Sequence, residues 1–320
     1  MKKSIKYSIN VLVITTMIIA LICCQRGAKT DSSIPTVAFV MKTLNNPYFI
    51  EMQRGAEDVA SKYGINLLVQ AAEREVDVEK QMQIVENLIQ RKVDVICLSP
   101  SGSKEIIPAI LKANKANIPV LIVDTRVDEK VLKESGGTIV AFIGSDNVDG
   151  GRIAGKYIIE SLGGIGNVAI LEGIPGHETG DARLRGFREA LKDQSGINLV
   201  ASQTANWERD QGFNVFQNIL QTNPDIDAVF ACNDMMALGA IEAIAATGKT
   251  DDILVVGFDA IRDARLAISE GRMSASIVQH PYEMGKVALE NSWNILQGKS
   301  IPPEIPVKIE LFTAQSQLIN

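Results

Sequence analysis

Short, almost wholly apolar runs alternate with helix-spaced patterns along nearly the whole chain after residue 34. The runs are Thr36–Met41, Ile65–Ala71, Val93–Leu98, Pro119–Val123, Val140–Ile143, Asn167–Leu171, Asn198–Gln203, Ala228–Cys232, Ile253–Phe258 and Ala275–Val278. Between the first two, Met52, Ala56, Val59, Ala60 and Tyr63 fall on one helical face. Met82, Val85 and Ile89 repeat that spacing, and Val287, Leu289, Trp293, Ile295 and Leu296 give a weaker version of it. A strand without polar alternation has both faces buried, which requires a parallel sheet covered by helices on each side. Ten such strands exceed one small sheet, so the pattern predicts an α/β chain of two doubly wound parallel-sheet domains. The stretch Gly144-Ser-Asp-Asn-Val-Asp-Gly-Gly151 reads as the point where the chain crosses from one to the other.

The first residues belong to a different regime. Lys2, Lys3 and Lys6 precede an apolar run from Val11 to Ile22, which is too short for a membrane-spanning helix and right for the core of a signal peptide. The run ends in Leu21-Ile22-Cys23-Cys24, the arrangement of a bacterial lipoprotein cleavage site. Residues 1–23 are therefore expected to be a lipoprotein signal peptide and 24–33 a flexible tether. Cys24 is the expected lipid anchor, with Cys23 as the alternative and an ordinary secretory signal as the plainer reading. Two acyl chains on one cysteine hold a protein to a membrane without a spanning helix.

The net charge of −6 becomes more negative once three lysines leave with the signal, and no basic run remains. That excludes a nucleic-acid partner. Beyond the signal, only Cys97 and Cys232 remain, each in a strand-like apolar run with no C-x-x-C spacing. Both read as small buried hydrophobes, and no disulfide is expected.

Ligands of open α/β sheets bind beyond the carboxyl ends of the strands, so the residues found there matter most. Lys42, Asn46, Tyr48 and Phe49 follow the first strand, Ser99 the third, Asp124 and Arg126 the fourth. The loop after the sixth leads to Arg183; Asn206 and Trp207 follow the seventh, Asn233 and Asp234 the eighth, Asp259 the ninth, Gln279 and His280 the tenth. Carboxylates accept from hydroxyls, amides both donate and accept, and cations supply strong donors. Flat aromatics such as Phe49 and Trp207 can cover the C–H faces of a sugar ring. Aromatic residues are only 5% of the chain, so Tyr48 and Phe49 side by side in a polar loop call for such a role. For Asp and Asn singly, helix capping is the competing explanation.

The segments Lys42-Thr-Leu-Asn-Asn-Pro-Tyr-Phe49, Ser145-Asp-Asn-Val148, Gly186-Phe187, Ala201-Ser-Gln-Thr-Ala-Asn-Trp207, Cys232-Asn-Asp-Met-Met-Ala-Leu-Gly239 and Val256-Gly-Phe-Asp259 resemble the ribose- and allose-binding branch of the periplasmic sugar-binding proteins. These are the substrate receptors of ABC importers. The resemblance, from about Ile34 onward, implies two Rossmann-like lobes joined by three hinge crossovers, with a monosaccharide in the cleft. It implies lobes of 34–145 plus 280–308 and of 146–279 plus 309–320. Carried over residue by residue, Asn46, Tyr48, Phe49 and Asp124 would come from the first lobe, Arg183, Trp207, Asn233 and Asp259 from the second, and Gln279 from a hinge.

Three positions depart from the ribose type: Lys42 replaces a serine, Thr125 an arginine and Ser99 an amide. All three are expected to face the ligand, favouring a hexose pyranose or a related polyol over ribose. ABC permease subunits would be the partners, with a chemoreceptor as a further one, for a monomer without metal or cofactor.

Other readings have specific weaknesses. Gly150-Gly-Arg-Ile-Ala-Gly-Lys-Tyr157 has the spacing of a phosphate loop, but Tyr157 stands where a Mg²⁺-binding hydroxyl is needed, and helix packing through small residues explains it. A glycoside-processing enzyme would use Asp124 and Asp259 as its carboxylate pair, without any further catalytic motif. His177 and His280 have no neighbour at metal-ligand spacing. A transcriptional regulator built on the same lobes would open with a helix-turn-helix. A receptor for a non-sugar, such as an autoinducer or polyol, is the remaining alternative.

Overall fold

The computed structural model describes residues 34–248 and 252–318. The expected signal peptide, Cys24 and the tether lie outside the described residues. Pro35–Asn320 forms one unit carrying two six-stranded sheets. In chain order the strands are β1 (Thr36–Thr43), β2 (Asn66–Ala72), β3 (Val95–Leu98), β4 (Val120–Val123), β5 (Ala141–Ser145), β6 (Gly166–Glu172), β7 (Ile197–Thr204), β8 (Ala228–Ala231), β9 (Leu254–Asp259), β10 (Ala275–Val278), β11 (Glu304–Val307) and β12 (Glu310–Thr313). The helices are α1 (Pro47–Tyr63), α2 (Val78–Gln90), α3 (Ile107–Lys115), α4 (Glu129–Glu134), α5 (Asn147–Ser161), α6 (Glu178–Leu191), α7 (Arg209–Thr222), α8 (Asp234–Thr247), α9 (Arg262–Ser269) and α10 (Pro281–Leu296).

The first sheet has the order β11-β5-β4-β3-β1-β2 and the second β12-β10-β9-β8-β6-β7. Each is the same doubly wound pattern, with a switch point between its first and third strands where a crevice opens. The chain passes between the sheets three times: after β5, after β10, and between β11 and β12. Both faces of each sheet are covered, as the unbroken apolar runs require. Along β1, Val37, Phe39 and Met41 pack with Met52, Ala56 and Val59 of α1. The intervening Ala38 and Val40 pack on the other side with Ile84, Val85 and Leu88 of α2, following the two-residue period of a strand.

The ten expected strands are present, most with ends moved by one or two residues. Two more were not expected, and the sheets are not wholly parallel: β12 runs antiparallel to β10. Both extra strands are four-residue edges, and β11 carries Pro306, which an edge strand tolerates because one side of it needs no ladder donor. Four residues with a charged end, Glu304-Ile-Pro-Val307 and Glu310-Leu-Phe-Thr313, are too short to carry a strand signal of their own.

Two helix faces also differ from the expected ones. The buried line of α2 is Gln81, Ile84, Val85 and Leu88, flanked by Met82 and Ile89. Gln81 is buried because its amide donates to the carbonyls of Met41 (3.2 Å) and Ser99 (2.8 Å) and accepts from Ser101 N (2.8 Å). It thereby ties together the ends of β1 and β3 where they separate at the switch point. In α10 the buried residues are Met284, Gly285, Ala288, Leu289 and Ser292, while Trp293 lies half-buried and stacked on Tyr63, with ring centroids 5.2 Å apart.

Gly151 and Gly155 of the Gly150–Lys156 stretch serve helix contact, whereas Gly150 leaves room for the Phe258 ring. A Cβ on Gly151 would lie 2.0 Å from the Arg183 carbonyl oxygen, and one on Gly186 would lie 1.8 Å from that of Val148. The backbones of α5 and α6 thus meet directly, and this approach fixes where α6 carries Arg183.

Candidate functional site between the two sheets

The strand ends of both sheets converge on one small cavity, lying in the crevice where such sheets hold their ligands. Ten of the expected residues line it: Lys42, Asn46, Tyr48, Phe49, Asp124, Arg183, Trp207, Asn233, Asp259 and Gln279. Glu75 and Thr179 line it as well and were not expected. Ser99 and Thr125 were expected to face the ligand but are absent from the lining; both are fully buried behind Asp124. Arg126 turns the other way, forming a two-pronged pair with Glu304 (2.8 Å each) over the ring of Phe142.

Local chain chemistry sets each position. Asn46 caps α1 by accepting from Tyr48 N at 3.0 Å, with Pro47 as the first helical residue. Asn233 caps α8 by accepting from Met236 N at 2.9 Å. The capping explanation therefore holds for both amides, yet both also reach the cavity wall. Each spends its oxygen on the cap and directs its NH₂ elsewhere: Asn46 to Glu75 Oε1 (3.1 Å) and Asn233 to the Trp207 carbonyl (3.1 Å). Backbone strain is concentrated here too. Asp124 (φ 69°), Trp207 (φ 69°) and Asp259 (φ 114°) all lie in the region that favours glycine. Each such residue costs of order 1–3 kcal/mol and needs a surrounding structure that holds it.

Asp124 is the centre of the first-sheet half. Its Oδ2 accepts from Lys42 Nζ (2.9 Å) and Thr125 Oγ1 (3.0 Å), with Ser99 Oγ at 3.4 Å, and its Oδ1 accepts from the Tyr48 hydroxyl (2.9 Å). Burial alone would raise its pKa. The Lys42 charge and hydrogen bond, with Arg183 further off, more than offset this and hold the carboxyl below its usual range. Tyr48 moves far up, by burial first and then by the Asp124 and Asp259 charges. Glu75 Oε2 lies 3.9 Å from Lys42 Nζ, and burial raises its pKa against the pull of that lysine. The lysine, whose Nζ is also 5.5 Å from the Phe49 ring centre, is thus aimed by two carboxylates.

The second-sheet half is organised by Arg183. Its Nε donates to Asn147 Oδ1 (2.9 Å) and its Nη1 to the Cys232 carbonyl (2.5 Å). The guanidinium lies 3.7 Å from the Phe258 ring centre, and Nη1 is 3.9 Å from Asp259 Oδ1. Asp259 also accepts from Gln279 Nε2 at 2.6 Å. Its carboxyl is pushed well above the usual range by burial, opposed by Arg183 and reinforced by Asp234. Asp234 does not reach the cavity. It accepts from Ser276 Oγ (2.7 Å) and Ile261 N (2.8 Å), and burial moves its pKa to about 7.

Trp207 closes one wall. A Cβ on Gly173 would lie 2.0 Å from the indole, so only glycine at the end of β6 lets the ring lie flat there. Its Nε1 is buried and has no hydrogen-bond partner, an N–H that costs about 1–3 kcal/mol to leave unmade. The cavity therefore offers two aromatic faces, a directed ammonium, a guanidinium, carboxylates and an unspent indole donor. That set suits a small, neutral, polyhydroxylated molecule. Among the described residues no group of His, Cys, Asp and Glu could hold a metal ion, and no helix is long and apolar enough to cross a membrane.

A family model described as a periplasmic binding protein domain matches residues 37–300. The D-allose-binding periplasmic protein of Escherichia coli K12 is 39% identical over 254 residues, covering 79% of this chain and 82% of that protein. A ribose import binding protein of the same organism is 35% identical over 306 residues, covering 96% of this chain and all of that protein. Among solved structures, an ABC transporter periplasmic solute-binding protein from Actinobacillus succinogenes 130z with bound D-allose superposes with a TM-score of 0.85. It is 40% identical and covers 89% of this chain and 100% of that one.

Proposed function

The chain belongs to the periplasmic binding protein family, and on that premise we propose that it is the sugar-binding receptor of an ABC importer. It works outside the cytoplasm and holds one monosaccharide, a hexose pyranose of the allose type, between its two lobes. The lobes are taken as 34–145 plus 280–308 and 146–279 plus 309–320, a division supported by which sheet each strand joins. The observation that carries the reading is the cavity: half its wall comes from each lobe, and its donors, acceptors and ring faces match a sugar's hydroxyls and C–H surfaces. Lys42, held by Asp124 and Glu75, stands where the ribose type has serine and supports a hexose over ribose. Ser99 and Thr125 act through Asp124 by fixing its carboxylate.

The mechanism is a population shift. In the open form each lobe presents half the contacts to water. Sugar docks on one lobe, and the other adds its half only on closing, so the ligand favours the closed form by its differential affinity. That form presents both lobe faces to the permease. No step breaks or makes a covalent bond, and the glycosidase alternative has no support, because both carboxylates it would use are saturated or paired within the wall.

The chain contains two tryptophans, which makes the test direct. Titrating a panel of pentoses, hexoses and polyols against tryptophan fluorescence should give a saturable change that is lost in Trp207→Phe and kept in Trp293→Phe. No response from any member of the panel sinks the sugar reading, and a response to polyols alone moves the ligand class.

The finer reading is a monomer anchored through diacylated Cys24, with a chemoreceptor as an additional partner. The Leu21-Ile22-Cys23-Cys24 motif supports the anchor. Incorporation of labelled palmitate should be lost in Cys24→Ser and kept in Cys23→Ser; the reverse result assigns the anchor to Cys23, and labelling of neither removes it.

A further inference from the structure

Three successive residues at the start of α6 reach across the cleft. His177 Nε2 lies 3.2 Å from the Pro100 carbonyl, Glu178 N donates to Ser103 Oγ at 3.0 Å, and Thr179 Oγ1 lies 2.7 Å from Thr125 Oγ1. Pro100 and Ser103 follow β3 and Thr125 follows β4, so all three contacts join the second lobe to the first without involving a ligand.

His177 is the unusual member. It is 2% exposed, and its ring meets the edge of Trp207 with centroids 6.0 Å apart. A carbonyl only accepts, so the proton of the neutral ring sits on Nε2 and the lone pair on Nδ1. Nδ1 is buried without a partner. Protonation would create a charged N–H there with no acceptor. The charged groups that face the ring are Lys42 and Arg183, which repel an imidazolium, and Asp124, already engaged by Lys42, Tyr48 and Thr125. Burial first, then Lys42, push the His177 pKa down to about 3 against the pull of the Pro100 carbonyl.

We propose that His177 and Pro100 form a proton-sensitive latch: the lobes close on sugar with the imidazole neutral, and protonating it opens them and releases the sugar. The latch rests on the sugar-binding reading and adds a control of affinity to it. In the open form Pro100 withdraws with its lobe and the imidazole meets water, where its pKa returns to the ordinary ~6.5. The proton therefore binds the open form and is refused by the closed one. Closure is fully favoured above ~6.5 and is lost progressively as pH falls from there toward about 3. A proton taken up by only one of two states weakens the apparent affinity about tenfold per pH unit below that value.

The native pH profile alone does not isolate this effect. Asp259, Asp234 and Glu75 all have raised carboxyl pKa values in the closed form, and groups raised by closure strengthen binding on acidification. His177→Gln resolves the two, since the amide keeps an N–H for Pro100 and cannot be protonated. Dissociation constants for the sugar with the strongest fluorescence response are measured by calorimetry at pH 7.5 and 5.5. The native protein, His177→Gln, His177→Asn as a second neutral donor, and His280→Gln as the control for the other histidine are compared, with folding checked by thermal unfolding.

The expected result is that His177→Gln matches the native protein at pH 7.5 within about threefold. From pH 7.5 to 5.5 the native constant should rise about tenfold more than that of His177→Gln, with His280→Gln following the native protein. Parallel profiles for the native and both neutral variants overturn the latch while leaving sugar binding intact. Neutral variants that are folded but bind no sugar at pH 7.5 also overturn it, since a donor alone should suffice there. Failure of the native protein to bind any sugar at either pH is a different outcome, and it brings down the sugar reading and the latch together.

Discussion

Asp124→Ala is expected to weaken sugar binding by about 3–5 kcal/mol, at least a hundredfold in dissociation constant, in calorimetric titration at neutral pH. The size follows from what the carboxylate holds rather than from one bond to the ligand. It accepts from Lys42, Thr125 and Tyr48, so little of its acceptor capacity is left for a sugar hydroxyl. Its removal leaves the Lys42 ammonium, 3% exposed, with only Glu75 nearby, at 3.9 Å. A buried charge stripped of its partner is the expensive case. The ammonium would then swing toward Glu75 and leave the cavity wall, and the Tyr48 hydroxyl would keep only the weak Met284 Sδ acceptor at 3.3 Å. Asp124→Asn separates shape from charge: it should retain the folded lobe and still lose most of the affinity. Because the Asp124 carboxyl is held below its usual range, it stays ionised down to pH 5.5. Its contribution is present above the unfolded-state pKa and fades only on stronger acidification, so it does not interfere with the His177 comparison. An Asp124→Ala dissociation constant within threefold of native would remove Asp124 from the site.

Ten of the twelve described strands and most of the cavity were legible because both come from local rules. Apolar runs such as Val37–Met41 have to be buried on both faces, and side chains following such strands in a doubly wound sheet have to gather at one end. That logic reached Lys42, Asp124, Asn233 and Asp259, which sit within a residue or two of a strand end. It reached Arg183 through the loop after β6 and the family resemblance. The logic does not reach Glu75. The stretch Ala72-Glu-Arg-Glu75 has the composition of any solvated turn, and only the position of the β2–α2 loop beside Lys42 makes its last carboxylate part of the wall. Thr179 is hidden for a similar reason: it enters from the start of α6 only when the lobes meet.

Ser99 and Thr125 show the converse case. Strand-end position puts a residue near the crevice but does not say whether it faces the ligand or backs the residue that does. A short hydroxyl beside a buried carboxylate gains more by saturating it. Gln81 was invisible because a glutamine among apolar neighbours reads as a solvent-facing position, whereas here its amide satisfies three backbone groups at the switch point. His177 was seen only as a histidine without a metal partner. Its meaning depends on a carbonyl 77 residues away in the other lobe, which no local pattern encodes.

Arg183→Met should abolish measurable sugar binding and lower the unfolding free energy by about 3 kcal/mol or more, read from urea midpoints. Methionine fills much of the same volume, so the loss reports on charge and hydrogen bonds rather than on a cavity. The guanidinium satisfies the Cys232 carbonyl and the Asn147 amide oxygen and lies against Phe258, and all of these partners are buried. Lysine should not rescue the variant, because a single ammonium cannot span both acceptors in the plane the guanidinium does.

The pH dependence of the defect distinguishes this account from simple misfolding. Asp259 has its carboxyl pKa raised by burial and by Asp234, with Arg183 as the opposing charge. A carboxyl raised in the fold binds its proton more tightly folded than unfolded, so it favours folding at low pH and opposes it as pH rises above the unfolded value. Removing Arg183 raises that pKa further. The stability deficit of Arg183→Met should therefore be larger at pH 8 than at pH 5, where a protonated Asp259 no longer needs the guanidinium. A deficit of equal size at both pH values would mean that Arg183 acts through its backbone acceptors and ring contacts alone, and that the two charges facing each other across 3.9 Å contribute nothing to holding the second half of the site.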